Sequence, residues 1–156
     1  MNNLSQNSDF SASPVIELVS NDKARLVLKK EYGQFVRQVR FYVCQIAQLY
    51  VLGYKSDLWR LIQVDNKPVF CLGEKKVLVH GSTFAVYQFP SELVGIALTS
   101  VAIEHTLDLM IGELSCDEYG ELYGQAMALD SLGEDVSYSH YEPDLYQVIK
   151  SLLMNS

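Results

Sequence analysis

The sequence predicts a single α+β domain, an antiparallel β-meander packed against about four helices. Three observations carry this. Between Gln34 and Leu52 apolar residues recur at the helical period; from Leu58 to Phe89 short apolar runs are broken by polar turns; from Leu93 onward the helical period returns. Helix, then sheet, then helices is the order of an α+β fold rather than the alternation of a parallel one. With 156 residues, 49% of them apolar, the chain has room for one core spanning residues 15–156, and too little for two.

Residues 1–14 are rich in Asn and Ser, with Gln6, Asp9 and Pro14, bury little, and read as a disordered tail. Val15 to Val19 suits a short edge element, and Arg25 to Lys30 reads as a short strand bounded by charge. The clearest amphipathic helix follows, with Phe35, Val39, Tyr42, Ile46, Leu49 and Tyr50 on its stripe and Gly53 suited to its C-terminus. Next, Leu58–Val64 and Val69–Leu72 flank Asp65-Asn66-Lys67-Pro68, whose Asp, Asn and Pro supply turn chemistry. That predicts a hairpin. Gly73 to Lys76 makes a second turn before Val77–His80, and Gly81-Ser82 a third before Thr83–Tyr87.

The stretch Leu93–Met110 carries no charge before Glu104 and is apolar on every side, which places it inside a protein or a membrane. Its charge-free part is shorter than the roughly 20 residues a bilayer needs, so a buried central helix is expected, with Pro90 and Ser91 at its start. The β-branched Ile96, Thr99, Val101 and Ile103 leave a strand pair as the rival reading. Ser115-Cys116-Asp117-Glu118 is a capping box, opening a helix expected to run to Leu132 and stop at Gly133. A polar loop from Glu134 to Tyr141 then leads to Pro143, placed in the first turn of a last helix bearing Tyr146, Ile149 and Leu153.

Charge is unevenly divided. Residues 1–76 hold 11 Lys/Arg against 7 Asp/Glu, and residues 77–156 hold 1 against 12, balances of +4 and −11 that make up the net −7. A negative half repels nucleic acid and favours a basic protein surface, although carboxylates also serve simply to solvate helix faces. Lys23, Arg25, Lys29, Lys30, Arg37 and Arg40 lie near Tyr32, Phe35 and Phe41 and superficially resemble a nucleic-acid patch. Phe35 belongs to the apolar stripe, however, and the whole chain is acidic. Cys44, Cys71 and Cys116 are odd in number and widely spaced, which argues for free, buried thiols in a reducing, cytoplasmic setting. The N-terminus lacks the basic-then-apolar pattern of a signal peptide.

Little points to catalysis. His80, His105 and His140 have no metal-ligand spacing with one another or with cysteine, and there is no nucleophile elbow and no glycine-rich phosphate loop. Glu104 and Asp108 share a helix face but sit among other carboxylates. A lone His105 on the last turns of an apolar helix is read as a capping or core residue.

Taken in order, the pieces resemble the antirestriction proteins of mobile elements, of the ArdB/KlcA type, from about Arg25 to Lys150. The family's opening strand, glycine and helix are matched by Arg25-Leu26-Val27-Leu28 and Glu31-Tyr32-Gly33. Its Tyr-Gly-Gly-x-Trp strand, with an Asn seven residues after the Trp, is matched by Tyr54, Trp59 and Asn66. Its Gly-Ile-x-x-Thr-x-x-Ala-x-x-His-Leu helix is matched by Gly95, Ile96, Thr99, Ala102 and His105, with Thr106 before Leu107. Its His-Pro-Glu segment has a rearranged counterpart in His140-Tyr141-Glu142-Pro143. The chain departs from the pattern at Lys55-Ser56-Asp57-Leu58, at Lys67 and Pro68 where glycines stand in the family, and at Ser115 to Gly120, which offers a second match to the helix start.

The resemblance implies a small cytoplasmic α+β protein without cofactor or catalytic activity. Such a protein blocks type I restriction-modification by contact with that machinery or an associated host factor, with no sequence-specific nucleic acid and no membrane as partner. Candidate contact residues, chosen for exposure and charge, are Asn66, Asp117, Glu121, Glu134 and Asp135. Two other classes stay open: an acidic DNA mimic, which needs carboxylates of residues 104–144 in two phosphate-like rows, and a small enzyme, which needs a cavity joining His105 to Glu104 or Asp108.

Overall fold

A 20-residue helix, α3 (Ser91–Met110), runs through the middle of the molecule, and three helices and three strands pack on it. The computed structural model describes residues 14–55, 59–73, 75–81 and 85–154. In chain order the elements are β1 (Ile16–Leu18), α1 (Asn21–Tyr32), a 3-10 turn (Gly33–Phe35), α2 (Val36–Tyr50), β2 (Trp59–Val64), β3 (Lys67–Leu72), β4 (Lys76–His80) and β5 (Val86–Pro90). After α3 come α4 (Cys116–His140) and α5 (Leu145–Met154). The class is α+β, as the sequence predicts. The tail at residues 1–13 lies outside the described residues, as do Ser56–Leu58, Ser82, Thr83 and Phe84; Pro14, at the tail's expected limit, is buried.

The strands form two small antiparallel sheets, β1-β2-β3 and β4-β5. The first hairpin turns on Asp65 and Asn66 alone, both with positive φ (47° and 69°), so Val64 pairs directly with Lys67. Asn and Asp tolerate the left-handed conformation that such two-residue turns demand. Pro68 therefore lies inside β3, an edge strand in which a missing N–H is tolerated. The Asp65 carboxylate also accepts from the Val15 N–H at 2.8 Å, which holds the start of β1 against the turn.

All of α3 from Leu93 to Ile103 is buried, against α2, α4, α5, β3 and the second sheet. It is apolar and long enough to cross a membrane, yet 72% of its most apolar window is buried inside the protein. Helix rather than paired strands is the outcome. Two of its small residues fix its distance from β3. A Cβ on Gly95 would run into the Phe70 carbonyl, and the Thr99 hydroxyl accepts from the buried Phe70 N–H at 3.2 Å while donating to the Gly95 carbonyl at 2.8 Å.

Three expectations are corrected. Arg25–Lys30 is helical, so the opening strand implied by the family resemblance is absent there. The six residues alternate like a strand, but over twelve residues Ala24, Leu28 and Tyr32 face inward at four-residue steps while Leu26 is exposed. Asp22 in the first turn and Lys29 and Lys30 in the last complement the helix dipole. Second, α4 does not stop at Gly133 but runs on to His140, replacing the expected loop; Pro143 falls in the turn before α5 rather than inside it. Third, only Cys71 is a buried thiol, for Cys44 is half-buried and Cys116 exposed.

Candidate partner-binding face

The 25-residue α4 begins with the predicted capping box. The Glu118 N–H donates to Ser115 Oγ at 3.1 Å, and the Ser115 N–H to the Glu118 carboxylate at 2.9 Å. From there Leu122, Ala126, Leu129, Gly133 and Val136 face the core. The opposite side carries two kinds of side chain. Asp117 and Glu121 lie one turn apart, and Asp135, five turns beyond Asp117, returns to the same side about 27 Å along the axis; all three are exposed. Beside them runs an apolar stripe at four-residue steps: Tyr119, Tyr123 and Met127, continued by Tyr138, with exposures of 38%, 51%, 50% and 76%. The rings of Tyr119 and Tyr123 are stacked with centroids 6.2 Å apart.

Of the predicted contact residues, Glu134 is exposed on the tyrosine side of α4, its carboxylate accepting from Gln147 Nε2 at 2.8 Å. Asn66 is exposed at the β2–β3 turn. Next to that turn, Lys67 lies 3.6 Å from Glu31, whose carbonyl accepts from Gln125 of α4. The five residues therefore form no single cluster. Asp117 and Glu121 lie in the first turns of α4, Glu134 and Asp135 lie towards its other end, and Asn66 stands apart on the β2–β3 turn. The tyrosine and methionine stripe was not among the candidates. Its four-residue spacing is visible in the sequence, but such spacing ordinarily marks a core-facing stripe, and only packing shows that it points outward.

Other carboxylates of this half are turned inward. Lys150 lies 2.7 Å from Glu104 and 2.6 Å from Asp130. Asp130 also accepts from Tyr146 Oη at 2.7 Å and Ser100 Oγ at 2.8 Å, so α3, α4 and α5 meet at one polar knot. Burial pulls the Lys150 ammonium down, but the hydrogen bonds and charges of Asp130 and Glu104 outweigh it and leave the pKa raised. Burial, then the Asp130 charge, pushes the Tyr146 phenol well above its ordinary value. Every member already has a partner, which is the signature of a structural network.

His105 is half-buried, with Nδ1 3.0 Å from the Val101 carbonyl and its ring tilted against Tyr42. Neither it nor Glu104 nor Asp108 lines the two larger cavities, of about 480 and 430 Å³. Among the described residues no three of His, Cys, Asp and Glu are grouped so as to hold a metal ion. No protein-family model matches the chain, and no curated protein matches it significantly.

Proposed function

We propose that the protein is a partner-binding module acting through the outer face of α4, and that it works in the cytoplasm as an antirestriction factor against type I restriction-modification. The observation that carries the first part is the exposed Tyr119–Tyr123–Met127–Tyr138 stripe beside Asp117, Glu121 and Asp135. Tyr and Met are enriched at protein interfaces, where flanking charge selects a complementary partner. The second part rests on the order of Trp59, Asn66, Gly95, Thr99, Ala102 and His105. Protein contact is favoured over DNA mimicry because Glu104 and Asp130 are engaged with Lys150, which breaks the rows of free carboxylates a decoy needs.

The test is plating of unmodified phage on a host with a type I restriction system that expresses the protein, beside a host without restriction. Relief of restriction by the natural chain, lost in Tyr123→Ser at equal expression, is the expected result. Unchanged restriction at confirmed expression of the natural chain defeats the antirestriction assignment. Full relief by both Tyr123→Ser and Tyr119→Ser moves the contact surface elsewhere.

A further inference from the structure

Between the first sheet, the start of α3 and the residue after α4 lies a cavity of about 480 Å³, within the size range of small-molecule sites. Ile62 and the buried Cys71 form part of its wall. Burial holds the Cys71 thiol protonated, with its pKa pushed up to about 11, while the Ser91 hydroxyl beside it acts in the opposite direction. Around this wall stand Arg60, Lys75 and Lys76, three of the twelve cationic side chains of an acidic protein.

Among the described residues these three cations face a single lining carboxylate, that of Glu92. Among the described residues none of the three is in an ion pair. The Arg60 guanidinium donates to the Gly73 carbonyl at 3.3 Å, a neutral acceptor, and the Lys76 ammonium lies 6.0 Å from the centre of the Tyr141 ring. Glu92, the one carboxylate among the described lining residues, accepts a hydrogen bond from Tyr141 Oη at 2.5 Å. Ser91 and Glu92 are also the first residues of α3, whose N-cap is Pro90 and offers no side-chain cap. The start of α3, where the Ser91 N–H donates to the Lys75 carbonyl at 2.9 Å and Glu92 stands in the first turn, thus borders the same space as three cations, and the excess of positive charge on the lining favours a negative group.

We infer that this cavity is a binding site for a small organic anion. Its carboxylate or phosphate group lies among Arg60, Lys75, Lys76 and the start of α3, and its apolar part lies against Ile62 and Cys71. The site is separate from the outer face of α4 and stands without the antirestriction reading.

The test is an NMR titration of the full chain at constant ionic strength, with inorganic phosphate in one arm and benzoate in the other. Saturable shifts of the Gly73, Ser91 and Glu92 amides in either arm are expected, and the arm that saturates first distinguishes a phosphate group from a carboxylate on an apolar body. Lys75→Met/Lys76→Met, at two exposed positions that leave the core untouched, should weaken binding at least tenfold. Arg25→Met/Arg40→Met, in the basic groove between α1 and α2, should leave it unchanged. Absence of saturation with both probes overturns the site, and so does equal weakening by the two double variants.

Discussion

Gly133, in the interior of α4, leaves open the space that the Tyr146 ring of α5 fills; a Cβ there would overlap three of the ring carbons. The glycine costs the helix about 1 kcal/mol relative to alanine, and in return the two helices approach closely enough for Tyr146 to reach Asp130.

Gly133→Ala should therefore destabilise the protein in spite of its better helix propensity. Overpacking against a fixed ring costs roughly 1–3 kcal/mol, and urea denaturation measures it. Gly120→Ala and Gly124→Ala, in the same helix with nothing near the new Cβ, should instead stabilise by about 0.5–1 kcal/mol. Equal effects at all three positions would remove the packing explanation.

Thr99→Val keeps the shape of the side chain but strands the buried Phe70 N–H. A loss of about 1–3 kcal/mol is expected for a buried donor without an acceptor. Thr99→Ser keeps the hydroxyl and should lose only about 1 kcal/mol, for one methyl. Thermal and urea unfolding of the pair should rank Val as the worse substitution.

Lys150→Met leaves Glu104 and Asp130 facing each other without their cation. Both are partly exposed, so roughly 1–3 kcal/mol is expected rather than the 3–5 of a fully buried pair. Adding Glu104→Gln or Asp130→Asn should recover part of that loss, which a double-mutant cycle between Lys150 and each carboxylate reads directly.

Alkaline pH should destabilise the protein progressively. The Cys71 thiol has its pKa raised from 9.0 to about 11 by burial, so its contribution is full below 9.0 and is lost as pH rises through about 11. Tyr32 and Tyr146 are raised, first by burial, and Tyr141 by burial and its bond to Glu92; their contributions are full below about 10 and are lost above it. Lys150, raised above 10.5, acts in the same direction. The urea midpoint should fall steadily from about pH 9 upward, and Cys71→Ala should flatten the first part of the decline.

Much of this molecule follows from local pattern. The α+β class, the capping box at Ser115 and Glu118, the hairpin at Asp65 and Asn66, the edge strand after Val15 and the buried central helix are each set by residues within a few positions of one another. Such features answer to period, cap and turn chemistry, which the chain carries wherever it is placed. Tertiary packing decided the rest. It made Arg25–Lys30 a helix because Leu28 and Tyr32 have a surface to bury against, and carried α4 past Gly133 because Tyr146 fills the gap. It turned Tyr119, Tyr123 and Met127 outward, and gathered Arg60, Lys75, Lys76 and the start of α3 around one cavity. Those placements depend on contacts between residues far apart in the chain, which no local periodicity records.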